Sequence, residues 1–229
     1  LDPTIILVLI GVALSLWAQG RVNSTFSRYS RVRSMTGMTG AEAARRLLNA
    51  QGIYDVTVQQ IAGELTDHYD PRTKTVNLSQ SVYGATSVAA IGVAAHECGH
   101  AMQDNEGYAP LRFRSALVPV ANFGSSLSWP LILLGLVFGG LGSPLVEIGI
   151  LMFSLAVLFQ LVTLPVEYNA SARAVRLLDA QGILAGEEVN GTRKVLNAAA
   201  LTYVAAAATS ILQLLRLIIL FGGRNRRDR

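Results

Sequence analysis

The sequence predicts a mainly α-helical protein with a small β-sheet or hairpin, held in a membrane by several helices. Three observations predict it. Apolar residues make up 51% of the 229-residue chain and charged residues only 15%, and the apolar ones gather into blocks approaching the roughly 20 residues a spanning helix needs. Between the first two blocks lies a stretch of ordinary polarity containing two short alternating segments. A helix-forming run then leads into two histidines four positions apart, His96 and His100. The formal charge of +4 resides in basic residues that flank the apolar blocks, which suits anionic lipid and the positive-inside bias better than nucleic acid. The single cysteine, Cys98, excludes an internal disulfide framework and is compatible with a reducing compartment.

In chain order, the first apolar block is Thr4 to Gln19. It lacks a basic segment before it and a convincing cleavage site after it, and Arg21, Arg28, Arg31 and Arg33 follow, so it reads as a retained anchor. Thr39-Gly40-Ala41-Glu42 has the spacing of a capping box, which starts a helix that runs through Leu48. Gly52 is placed to end that helix in a left-handed conformation. Tyr54 to Gln60 and Thr75 to Ser79 read as strands, with Asp70-Pro71-Arg72-Thr73 as a turn. Val76, Asn77, Leu78 and Ser79 are expected at a sheet edge, where an extended peptide substrate adds as a further strand. From Ala85 small and apolar residues run as a helix into His96.

Ala116 to Leu141 and Leu145 to Val166, joined at Gly142-Ser143-Pro144, read as a transmembrane helical hairpin, with Glu147 near the interface. Tyr203 to Gly222 is apolar but carries Arg216, and Arg224, Arg226, Arg227 and Arg229 follow it. It could span; a surface or tilted, protein-packed placement leaves the charge bias intact. The string Arg-Leu-Leu-x-Ala-Gln-Gly-Ile occurs at 46–53 and again at 176–183, and reads as two similar glycine-stopped helix ends. The chain therefore divides into an anchor at 1–19, a catalytic region at 20–114, the hairpin at 115–166, helices at 167–202, and an apolar helix with a basic tail at 203–229. Arg112 and Arg114 precede the hairpin and Arg173 and Arg176 follow it. With the arginines after the first block, they place 20–114 and 167–200 at the cytoplasmic face of a plasma (inner) membrane.

His96-Glu97-Cys98-Gly99-His100 is the strongest chemical signal. Positions four apart on a helix differ by about 40° in azimuth, so both imidazoles leave one face and can share one metal ion. Glu97, offset by about 100°, can stand beside a metal-bound water without ligating. Zinc lowers the pKa of such a water toward ~7, and a carboxylate then takes its proton as it attacks a carbonyl. Cys98 lies about 200° around from His96 and reads as a small core residue. A catalytic zinc needs a third protein ligand, for which His68, Asp104, Glu106 and Glu167 are candidates. Asp104 and Glu106 lie a turn or more past His100, where the helix carries them away. Glu167 ends the third apolar block and opens a helix-friendly run, and a hairpin that returns to the side it left brings it back to the histidines.

Asp67-His68-Tyr69-Asp70-Pro71, Val76-Asn77-Leu78-Ser79, the block from His96 to Gln103, and Pro165-Val166-Glu167-Tyr168-Asn169-Ala170-Ser171 together resemble the YugP-type neutral zinc metallopeptidases, over nearly the whole chain. More distantly the sequence is similar to HtpX-type heat-shock proteases and CaaX prenyl proteases. The resemblance implies a zincin-like (gluzincin) core with Zn2+ on His96, His100 and Glu167 and with Glu97 as catalytic base. Those distant relatives carry an aspartate four residues after the ligand glutamate, bonded to a zinc histidine. Ser171 stands there in this chain, so Ser171, Asn169 or a backbone carbonyl is expected to orient the histidine. Resemblance to other metallopeptidases also implies a neutral donor for the oxyanion, with His68, Tyr69 and Tyr168 as candidates.

The expected function is zinc-dependent endoproteolysis near the cytoplasmic membrane face. Its partners would be membrane-associated protein or peptide substrates and the lipid bilayer, without nucleic acid, and a regulatory partner is compatible with this organisation. The alternatives are a non-catalytic zinc-stabilised scaffold or chaperone, which would not need Glu97, and a site-two-type intramembrane protease. The latter would need an aspartate in a later transmembrane segment, and the apolar stretches hold none.

Overall fold

A computed structural model describes residues 2–140 and 143–221. Ten elements follow one another: α1 (Ile5–Tyr29), α2 (Gly40–Ala50), β1 (Thr57–Ile61), β2 (His68–Asp70), β3 (Thr75–Ser79), α3 (Gln80–Tyr83), α4 (Val88–Asn105), α5 (Ala109–Gly139), α6 (Pro144–Ala180) and α7 (Glu187–Phe221). They fall into two compact units. One takes the N-terminal part of α1 to Ala18, Arg112–Leu164, and α7 from Thr202; the other takes Gln19–Leu111 and Pro165–Leu201.

The first unit is helical. α1, α5, α6 and α7 are each long and apolar enough to cross a membrane, and at most 28% of any one apolar window is buried. α1 is longer than its apolar block because the polar residues after Gln19 continue the same helix. α1 and α7 lie antiparallel. The Thr209 hydroxyl donates to the Gly11 carbonyl at 3.1 Å, and nearer the other end the Arg216 guanidinium donates to Thr4 Oγ1 at 3.2 Å and pairs with Asp2 at 3.4 Å. A cation in an apolar segment is costly unless partnered, and Asp2 partners this one. Tyr203 to Phe221 is thus helix packed along α1 rather than a separate surface segment, while Gly222 and the four terminal arginines lie outside the described residues. α5 and α6 form the expected hairpin, with Gly124 and Gly149 permitting close approach of backbones: a Cβ on Gly124 would stand 2.7 Å from the Met152 carbonyl oxygen. Gly142, from the expected turn, also lies outside the described residues.

The second unit has one apolar core. Leu47 and Leu48 of α2, Val76 and Leu78 of β3, Ile91 of α4 and Leu178 of α6 are fully or almost fully buried in it. The capping box is present: Thr39 Oγ1 accepts from the Glu42 amide at 3.2 Å, and the Glu42 carboxylate accepts from the Thr39 amide at 2.8 Å. Both copies of the repeated string end a helix in the same way. Gly52 and Gly182 take φ of +70° and +59°, and the next amides, of Ile53 and Ile183, return to the carbonyls of Leu48 and Leu178 at 3.0 Å.

The sheet corrects one expectation. Its order is β1-β3-β2, with β3 parallel to β1 and antiparallel to β2. Val76 and Asn77 are therefore paired on both sides, Leu78 and Ser79 continue the same strand against β1, and all four are buried, so the segment is not the edge strand expected. The missing piece was β2, a three-residue strand that pairs His68 with Asn77 and Asp70 with Thr75.

Candidate metal centre

α4 begins at a serine cap, with the Ala90 amide donating to Ser87 Oγ at 3.2 Å, and runs unbroken through the histidine motif. Against it lies α6, at a crossing set by Gly99. A Cβ at that position would stand 2.6 Å from the Ala170 carbonyl oxygen and 3.0 Å from its Cα, so only glycine admits the α6 backbone this closely. Glu167, one turn before Ala170, consequently reaches the histidines. Its Oε2 lies 3.2 Å from His96 Nε2 and 3.5 Å from His100 Nε2. The two rings stand nearly perpendicular at 84°, with centroids 4.8 Å apart, and the three donor atoms all lie within 4.8 Å of one another. A tetrahedral zinc with bonds of about 2.0–2.1 Å separates its ligand atoms by roughly 3.3 Å, close to the two distances from Glu167 to the histidines, so these three side chains could hold such an ion. All three side chains are largely buried; Glu167 and His100 are only 2% and 8% exposed.

Hydrogen bonds fix which nitrogens face the shared point. Gln103 donates its amide hydrogens to the Val166 carbonyl at 2.8 Å and to Asn169 Oδ1 at 2.9 Å. Its oxygen must therefore turn to His100 Nδ1, 3.0 Å away. That nitrogen then carries the hydrogen, which leaves the Nε2 lone pair for a metal. Ser171 Oγ lies 3.0 Å from His96 Nδ1 and can serve the other histidine in the same way. Arg173 holds Asn169 from behind at 2.7 Å and reaches Glu106 at 2.6 Å. The site favours positive charge: burial pushes the His100 pKa down, but the hydrogen bond with Glu167 and the charges of Glu97 and Glu167 outweigh it and raise the value. Glu97 is only 7% exposed, yet among the described residues it has no hydrogen-bond or ion-pair partner.

Residues 4–222 match the model of a protein family described as "Putative neutral zinc metallopeptidase". The chain belongs to this family. It is also 49% identical over 217 residues to "Putative membrane protease YugP" of Bacillus subtilis (strain 168), covering 95% of this chain and 96% of that protein. No solved structure matches it.

The remaining family-motif residues are placed differently. His68 is exposed on β2 and lies outside the metal-binding group; its Nδ1 lies 2.8 Å from the Thr66 carbonyl and its Nε2 3.2 Å from Asn77 Nδ2. One ring nitrogen thus contacts the loop before β2 and the other the neighbouring strand β3. The Tyr69 hydroxyl donates to Asp104 at 2.8 Å, and burial together with that carboxylate pushes its pKa upward. Lys74 completes the group, 2.8 Å from the same Asp104 oxygen. Tyr168, 48% exposed, lines a cavity whose walls include none of His96, His100 and Glu167. Asp104 and Glu106 are taken by ion pairs, and Cys98 is fully buried with its Sγ toward the Ala44 carbonyl of α2. Gln103 is the site residue that sequence reasoning passed over. The available signal was its position three residues after His100, on the same helix face.

Proposed function

We propose that this chain is a zinc-dependent membrane endopeptidase of gluzincin type that hydrolyses peptide bonds at the cytoplasmic face of the plasma membrane. The convergence of His96, His100 and Glu167 within 4.8 Å, from two different helices, carries the reading. Zinc bound by these three would supply a Lewis acid and lower the pKa of a coordinated water toward ~7. Glu97, close to the site and without a partner of its own, takes the proton of the attacking water and returns it to the departing amine. Gln103 and Ser171 hold the two imidazoles in the tautomer that ligation requires. Burial of the carboxylate and imidazoles excludes bulk water and strengthens each of these interactions.

With β3 in the interior of the sheet, the strand left to receive an extended substrate on the α4 side is β2, tied to α4 through Tyr69 and Asp104. Backbone pairing there would give affinity with little sequence preference. The cytoplasmic assignment rests on the arginines that follow α1, precede the hairpin and follow Glu167. The residues around the zinc site form the chemical part of the protein, and the apolar helices hold it at the bilayer.

The deciding experiment is Glu97→Gln. The variant should bind zinc and fold as the parent does, while cleavage of an unstructured membrane-protein fragment falls by at least ~10²–10⁴-fold. Substantial residual zinc-dependent cleavage would remove Glu97 from the mechanism. No zinc-dependent cleavage by the parent would favour a scaffold.

A further inference from the structure

A cavity distinct from the metal centre lies among α1, α6 and α7. It encloses about 670 Å³, and its walls carry three cations and no carboxylate: Arg21 and Arg28 from α1, and Lys194 from α7. Arg21, Ser24 and Arg28 recur at the three- and four-residue spacing that places them on one face of α1. Lys194 and Asn197 do the same on α7, and Tyr168 of α6 adds a half-exposed phenol. Elsewhere in the chain Lys74, Arg173 and Arg216 are neutralised by nearby carboxylates. None of the cavity's three cations has such a carboxylate partner among the described residues. Arg28 has only the Tyr29 ring, 5.6 Å away. Three like charges gathered round one concavity repel one another, and an anionic ligand relieves that cost.

Chain position says which anion. Arg21 comes one helical turn after Ala18, Tyr168 one turn after Leu164, and Leu201 directly before Thr202, where three apolar segments meet the polar unit. A turn of helix rises about 5.4 Å, which is close to the depth of one headgroup layer, roughly 5–8 Å. Two guanidinium forks, an ammonium and neutral hydrogen-bond donors aimed from separate helices suit the several oxygens of a phosphate better than a planar carboxylate. Ala198 and Leu201 supply an apolar flank. We propose that this cavity binds the phosphate of an anionic phospholipid headgroup. The site is separate from the metal centre and stands whether or not the chain is a peptidase.

The test uses the full chain in zwitterionic detergent, with bound lipid counted by native mass spectrometry. Dioleoyl phosphatidylglycerol, dioleoyl phosphatidylcholine and, as a soluble source of the same chemistry, inorganic phosphate are the probes. We expect phosphatidylglycerol to be retained at one per chain and phosphatidylcholine not to be. Arg21→Gln/Arg28→Gln/Lys194→Gln should weaken retention about 100-fold, taking roughly fivefold for each of three juxtamembrane charges, and Lys194→Arg should keep it. Arg31→Gln/Arg33→Gln, outside the cavity walls, is the control for general surface charge, and unchanged melting temperatures show that the variants fold. If the triple variant misfolds, Lys194→Gln against Lys194→Arg gives the same comparison one charge at a time. Displacement of the lipid by millimolar phosphate would retain the site but assign it to a soluble phosphate ligand. Equal retention of both lipids, undiminished binding in the substituted variants, or an equal loss in the control would overturn the proposal.

Discussion

Gln103 shows how much of the site rests on one side chain that touches no reacting atom. Its amide spans Val166, Asn169 and His100 at 2.8, 2.9 and 3.0 Å, so it carries information from α6 to a histidine on α4. Gln103→Leu keeps the bulk and removes every one of those bonds. Zinc affinity, measured by competition with a chromogenic chelator, should fall by about 10–100-fold, the usual effect of losing a group that orients a ligand. Ser171→Ala should act in the same direction through His96, and an unchanged affinity in both variants would mean that the histidines need no such support. The histidine pair was legible in the sequence because four-residue spacing is a local property of one helix. The role of Gln103 was not, because its partners are supplied by α6, far away in the chain. His68 and Tyr69 were marked as donor candidates by position and by resemblance to other metallopeptidases; their contacts, with Thr66 and Asn77 and with Asp104, come from residues the sequence does not place beside them.

Two glycines separate local from long-range constraint at the level of elements. Gly52 has φ +70° with nothing within 4 Å of a Cβ placed on it, so Gly52→Ala strains only its own backbone. It should cost about 1 kcal/mol of stability and leave zinc affinity alone. Gly99 meets the α6 backbone at 2.6 Å. Gly99→Ala must push α6 away, which should cost about 1–3 kcal/mol and also loosen Glu167 from the histidines. Thermal melting with and without zinc checks both: the Gly99 variant should lose part of its stabilisation by the metal, and the Gly52 variant should keep all of it. The Gly52 helix end and the Thr39 capping box could be read directly because their chemistry lies within a few residues. β2 could not. Three residues carry too little alternation to announce a strand, and its existence is decided by pairing with β3; without it β3 looked like an edge.

Across the whole molecule, four helices are long and apolar enough to cross a membrane. Arg216 and the four arginines of the tail made Tyr203 to Gly222 ambiguous in the sequence; the pairing of Arg216 with Asp2 answers the first of these, and the tail arginines lie outside the described residues. Single cysteines at Ser34, Ser143 and Phe221 in a Cys98→Ala background, treated on intact cells with an impermeant thiol reagent, give the order. Ser143 and Phe221 should label and Ser34 should not; the reverse pattern would invert the orientation, and protection of Phe221 alone would leave α7 short of crossing. The helices themselves were legible from apolar blocks, whereas the antiparallel lie of α1 and α7 was not, since it depends on packing at Gly11 and Thr209.

The separation of the ligands along the chain also bears on synthesis. His96 and His100 leave the ribosome before α5 and the apolar length of α6, and Glu167 only after both. A half-made chain carries only two of the three clustered side chains. On the proposed function, activity would therefore wait on the return of the α6 segment that bears Glu167.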